Sequence, residues 1–233
     1  YRWLEYFSVV AVIYIVLTAV CTMAYGFNGM NWLDALMHAF STVSLGGFSS
    51  HDASFGFFDS PVLEAITIGF ALMSGISYVT HFAALSGRSL RPYRRDGEVP
   101  FYLGVLGTSV LLVATYLWQQ DYYAEFATAL RHAAFNTVSV ATTLGYASTD
   151  YSKWPFFAPL WMLFLCSFVT CAGSTGGGIK MMRAVILYKQ VFRELMRRTW
   201  PARTGQVGLE DAASIRREIE RTVPLYGGIA GLS

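Results

Sequence analysis

Four stretches of the chain are almost free of charge. Phe7 to Leu33, Val99 to Gln120 and Trp154 to Ile179 contain no Asp, Glu, Lys or Arg, and Pro61 to Gly87 contains only Glu64 and His81. Each exceeds the roughly 18 to 20 residues needed to cross about 30 Å of hydrocarbon. Two shorter amphipathic tracts lie between them, N-W-L-D-A-L-M-H-A-F-S-T-V (31–43) and A-E-F-A-T-A-L-R-H-A-A-F-N-T-V-S-V-A (124–141). Each is too short to cross and is followed by a glycine-bearing stretch. The pattern predicts an all-α, polytopic membrane protein: an apolar helix over about 3–26, a short helix over 31–43, a loop, and a long helix from about Pro61. The same order follows with helices over about 99–120 and 124–141, a loop, and a long helix from about Pro155.

The two halves are similar in detail. The loops S-L-G-G-F-S-S-H-D (44–52) and T-T-L-G-Y-A-S-T-D (142–150) each carry glycine, then an aromatic, then a serine and an aspartate. This match pairs Gly47 with Gly145, an offset of 98. The tract Phe-x-Thr-Val-Ser also recurs, at Phe40 and Phe135, but pairs the halves at 95, so two registers remain open for the short helices. The expected division is one pore-forming repeat over 1–94, a second over 95–205, and the start of a further repeat over 206–233. Repeated membrane units commonly place a substrate site at their shared interface.

Irregular backbone at membrane depth is tolerated only where protein buries it or it lines a water-filled path. The uncharged loops are therefore expected to re-enter from the outer face and line a path. Thr143-Leu144-Gly145-Tyr146-Ala147 closely follows the T-V-G-Y-G pattern whose carbonyls replace the hydration shell of potassium. Leu45-Gly46-Gly47-Phe48-Ser49 is a looser match at the equivalent place. Glycine reaches positive φ cheaply, which lets successive carbonyls turn to one axis. The short helices would aim their carbonyl ends at a cation, and Thr142, Thr143 and Ser44 would add hydroxyl oxygens below. The expected filter segments are 44–49 and 142–147, with helix–pore loop–helix units like those of potassium channels.

Composition agrees: 54% of residues are hydrophobic and 14% charged, against roughly 25% charged in soluble domains. The placement of charge adds orientation. Arg88, Arg91, Arg94 and Arg95 cluster in one loop, and Lys180 to Arg203 form a second basic tract, whereas 44–60 has no Lys or Arg and 142–153 only Lys153. The positive-inside rule puts 86–98 and 180–205 in the cytoplasm. The three cysteines all lie in expected spans and are read as apolar fillers. The chain opens on Tyr1 and is read as part of something longer.

The tract T-C-A-G-S-T-G-G-G-I-K (170–180) ends the last apolar run. A phosphate loop would need Lys and Ser or Thr directly after the final glycine, with a strand before it. Here Ile179 intervenes and the preceding run is deep in a span. Four glycines in six residues break a helix instead.

The motifs S-L-G-G-F-S-S-H-D-A-S-F-G-F-F-D-S-P (44–61), L-S-G-R-S-L (85–90), A-T-T-L-G-Y (141–146) and C-A-G-S-T-G-G-G-I-K (171–180) resemble the Trk/Ktr/HKT superfamily of potassium transporters, and most of all the bacterial Trk-type uptake membrane subunit. The resemblance touches most of the chain. It implies four pore units around one pore, of which this chain resembles the second and third plus the start of the fourth at 210–233. Leu144 stands where smaller residues are also found in relatives. It implies that Leu45, Gly46, Gly47, Thr143, Leu144 and Gly145 offer backbone carbonyls to K⁺. It further implies an intramembrane gate over 172–178, formed by Gly173, Ser174, Thr175, Gly176, Gly177 and Gly178. The implied partners are a cytoplasmic nucleotide-binding ring subunit, a second copy in a membrane dimer, and the lipid of the inner (plasma) membrane. No nucleic acid is expected.

Other residues suit quieter roles. His51 and Asp52 are expected to buttress an outer vestibule, His38 and His132 to make internal hydrogen bonds, His81 to be packed within its span, and Glu64 to favour a helix N-terminus. A sodium or mixed-ion carrier of the same fold is the near alternative. A membrane enzyme is the distant one, and it lacks a nucleophile–base pair or ligand cluster at usable spacing. No covalent chemistry is expected.

Overall fold

A computed structural model describes residues 2–199; the expected further repeat over 206–233 lies outside them. Among the described residues nine α-helices follow in order: α1 (Arg2–Phe27), α2 (Trp32–Ser44), α3 (Pro61–Ser74), α4 (Tyr78–Ser86), α5 (Arg91–Arg95), α6 (Glu98–Gln119), α7 (Phe126–Ala141), α8 (Phe157–Cys166) and α9 (Met181–Thr199). There are no strands among the described residues. α1 and α6 are long and apolar enough to cross a membrane, and α3 with α4 makes a third span if that bent pair is taken together. At about 1.5 Å per residue, the 13 residues of α2 and the 16 of α7 reach only about 20–24 Å. Both fall short of the hydrocarbon thickness.

The starts of α2 and α3 have local causes. The side chain of Asn31 accepts the Leu33 N–H at 3.3 Å and starts α2. Pro61 opens α3 behind Ser60, in the first-turn position where a missing N–H costs nothing. Along α6 the buried positions Tyr102, Leu106, Ser109, Val113 and Leu117 share one face, while Phe101, Leu103, Leu111 and Trp118 point outward. An apolar outer face is what a lipid-facing helix needs.

One of the apolar clusters sits behind the two glycine loops. Leu45 and Leu144 are buried in one cluster with Val43, Phe55, Phe135 and Tyr146. Contributions from both halves meet there.

Two helices depart from expectation. The long helix from Pro61 breaks after Ser74, and α4 leaves at 91°. The second long helix begins at Phe157 and stops at Cys166, ahead of the break expected at 172–178. The two breaks complete each other. Gly75 O accepts from Cys171 N–H at 3.1 Å, and Tyr78 N–H donates to Gly173 O at 3.2 Å. Backbone groups freed at one interruption are satisfied by the other, as a membrane interior demands.

Candidate functional site

Both short helices end in the same way. At the end of α2, Leu45 N–H donates to Thr42 O (3.2 Å) and Gly46 N–H to Ser41 O (2.8 Å). At the end of α7, Thr143 N–H donates to Val140 O (3.0 Å) and Leu144 N–H to Ser139 O (2.9 Å). Each is the paired bond of a Schellman cap. The residue at its pivot, usually glycine, is Leu45 (φ 55°) in one and Thr143 (φ 65°) in the other. A left-handed non-glycine residue costs roughly 1–3 kcal/mol and clusters at functional sites. The hydroxyls next in line match too: Ser41 Oγ takes the Phe48 N–H (2.6 Å) and Ser139 Oγ donates to Tyr146 O (2.6 Å). Every equivalence pairs the halves as Gly47 with Gly145. The recurrence at Phe40 and Phe135 is therefore a coincidence of letters, out of structural register.

The loop backbone alternates in hand. Positive φ falls at Leu45 and Gly47, and again at Thr143 and Gly145, with the residue between them on the ordinary side. Alternating hand of this kind turns successive N–H groups to one side. The amides of Leu45, Gly46, Thr143, Leu144 and Gly145 all bond back to their own helix ends. The side chains of Leu45 and Leu144 are buried, and Gly46 and Gly145 are exposed. The loops adjoin: a Cβ on Gly47 would collide with the Leu144 carbonyl oxygen, and one on Gly145 would lie 3.9 Å from Gly47 Cα. The six residues singled out in the sequence thus form one feature.

The second loop is wedged against the first half of the chain. Tyr146 is fully buried, and its hydroxyl donates to His38 O (3.3 Å) and Phe48 O (3.2 Å). Ala147 O accepts from Gly56 N–H at 3.0 Å. The hydroxyls below are committed locally: Thr142 Oγ1 donates to Val138 O (2.8 Å) and Ser44 Oγ to Ser41 O (3.2 Å). On the outer side, His38 bonds Asp34 O and Ser49 Oγ, His132 reaches Ser148 Oγ, and His51 stacks on Phe57 at 3.8 Å. The Ser50 hydroxyl donates to Asp34 at 2.8 Å and holds that carboxyl below its usual range.

Beneath the loops lies the chain between α8 and α9. Thr175 Oγ1 donates to Val43 O (3.0 Å) at the end of α2 and to Ser74 O (3.3 Å). Gly177 N–H donates to Thr143 Oγ1 at 2.7 Å, and Gly177 O accepts from Thr170 Oγ1 at 2.8 Å. Gly176 is buried with no room for a side chain: a Cβ there would meet Thr170 and come within 3.2 Å of Thr142 O. Gly173 and Gly178 take positive φ. Residues 173–178 therefore press on the ends of both short helices.

Three features were not read in the sequence. The break at Gly75 is one. Another is Arg131, which grips Glu64 through Nε (2.9 Å) and Nη2 (2.8 Å) and reaches Asp59 at 2.9 Å. The third is Glu98, whose Oε2 accepts the Ala172 N–H at 3.0 Å. Among the described residues no group of three or more His, Cys, Asp or Glu side chains could hold a metal.

Spanning helices, helices too short to span, and paired glycine loops define a membrane transport fold. The comparisons specify it further. The chain matches the cation transport protein family TrkH over residues 3–208 and belongs to that family. It is 43% identical over 218 residues to the Trk system potassium uptake protein TrkH of Salmonella typhimurium, covering 94% of this chain and 45% of that one. It is 44% identical over 205 residues to TrkH of Halomonas elongata, covering 85% and 42%. The crystal structure of the potassium transporter TrkH from Vibrio parahaemolyticus superposes with a TM-score of 0.82 at 38% identity, covering 86% of this chain and 43% of that one. The chain thus spans less than half the length of these relatives. Their names describe transporters, in keeping with the expectation that this is not an enzyme.

Proposed function

We propose that this chain forms two units of a pore that conducts potassium into the cell across the inner membrane. The observation that carries the reading is the pair of matched caps. The short helices take back the amides of Leu45 and Gly46 in one loop and of Thr143, Leu144 and Gly145 in the other, and the carbonyls of Leu45, Gly46, Gly47, Thr143, Leu144 and Gly145 stand in for water around K⁺. The ion is cargo and undergoes no chemistry. The ends of α2 and α7 add the partial negative charge of their last carbonyls. No charged side chain occurs in residues 41–49 or 139–147, so selection falls to backbone dipoles. The name of the relatives, potassium uptake protein, supports K⁺ over Na⁺ as the ion.

Residues 172–178 act as the gate in this reading. They lie under both loops and bond the end of α2 through Thr175 and the second loop through Gly177. α9 follows directly, tied through Met181 N–H to Thr170 O at 2.9 Å, so force on α9 reaches the loop. A cytoplasmic nucleotide-binding ring subunit is the expected source of that force, and a second copy of the protein completes a membrane dimer. The remaining length of the protein supplies the other filter segments.

The test is Gly145→Ser in the full-length protein, with K⁺ and Na⁺ uptake compared in transport-deficient cells. The reading expects a lowered K⁺ preference with the protein still inserted. An inserted variant with unaltered preference overturns it.

A further inference from the structure

Lys180 stands where a lysine is disfavoured twice. It precedes α9, and the N-terminal end of a helix carries partial positive charge that suits anions, not cations. Its φ of 68° lies in the left-handed region that side-chain-bearing residues avoid. Strain maintained by surrounding structure is a pointer to function.

The ammonium is turned back into the loop. Nζ donates to Ser174 O at 3.4 Å, to Ser174 Oγ at 3.4 Å, and to Gly176 O. An ammonium has three donors, and all three are spent on this one loop. Two carbonyls and a hydroxyl are also the ligand type that replaces water around a monovalent cation. The site lies under the glycine loops, since the neighbouring Gly177 bonds Thr143. At the other end of the loop, the buried carboxylate of Glu98 holds Ala172 N–H. The other carboxylate oxygen of Glu98, Oε1, is buried with no hydrogen-bond partner among the described residues.

We propose that Lys180 is a tethered cation that latches the 172–178 loop in its obstructing position. Its ammonium fills an oxygen site that a monovalent cation leaving the loops above would otherwise occupy, and Glu98 receives the ammonium when the loop withdraws. The proposal rests on the pore reading given above and adds a regulatory residue to it.

The experiment measures Rb⁺ flux into proteoliposomes holding the full-length protein with no cytoplasmic partner. Lys180→Met is expected to raise flux by about tenfold or more, the shift implied by losing a charge-assisted hydrogen-bonded contact. Lys180→Arg keeps the charge and is expected to stay near wild type, which a loss of packing alone would not produce. Gly145→Ser runs in parallel. Should it change ion preference while Lys180→Met leaves flux unaltered or lower, the latch is overturned and the pore stands. If Gly145→Ser leaves preference unaltered, the pore reading fails and takes the latch with it. Where Lys180→Met fails to insert, Ser174→Ala removes one of the three oxygens; a smaller rise supports the latch, and no rise overturns it.

Discussion

The grip of Arg131 on Glu64 joins the two halves of the chain, and its energetic weight can be worked from the geometry. Glu64 sits in the first turn of α3 and Arg131 in α7. The Glu64 side chain is only 3% exposed, whereas Arg131 is 28% and Asp59 81%. A buried carboxylate stripped of its partner retains its desolvation cost without the compensating attraction. Arg131→Met is therefore expected to destabilise by about 3–5 kcal/mol, toward the low end because Arg131 keeps some contact with water. Asp59→Asn removes an exposed partner of the same guanidinium and should cost only about 0–1 kcal/mol. The third arm replaces both members: Arg131→Met with Glu64→Leu removes the charges together and should recover most of the loss. Equilibrium unfolding of the full-length protein in detergent micelles, run as a double-mutant cycle, measures all three. Equal losses for Arg131→Met and Asp59→Asn, or a double variant as unstable as the sum of the singles, would refute the account of a buried inter-half clamp.

Two further outcomes test the glycine loops. Gly47→Ala places a methyl against the Leu144 carbonyl, a backbone atom that cannot rotate aside, at a φ of 70°. Uptake should fall to background in protein that still inserts, and near-normal uptake would show that the loops do not abut. Tyr146→Phe removes the hydroxyl that bonds His38 O and Phe48 O, at a cost of about 0.5–1.5 kcal/mol per bond. It should loosen the second loop and lower K⁺/Na⁺ preference without abolishing flux; an unaltered ratio would mean that the tyrosine does not set the loop's position.

What was legible in the sequence and what was not divides along the range of the interactions. Uncharged windows revealed α1 and α6 because crossing a membrane is a demand on composition. The short helices were legible because thirteen to sixteen amphipathic residues cannot span, and the glycine loops because Gly47 and Gly145 answer a local conformational need. The caps were hidden in part, since their pivots are Leu45 and Thr143 where glycine would have announced them. The break at Gly75 left almost no trace. Met73-Ser74-Gly75-Ile76-Ser77 contains a single glycine and no proline, and one glycine inside a helix costs only about 1 kcal/mol. That helix parts because Cys171 and Gly173 stand ready to take its freed groups, and their position depends on a break nearly a hundred residues away. Neither interruption is stable alone in an apolar medium. Arg131 with Glu64 and Lys180 with the loop oxygens follow the same logic: each charge looks misplaced until the folded partner arrives. Local chemistry therefore specified where the chain had to leave regular structure at the loops, while mutual satisfaction across the two halves decided where else it could.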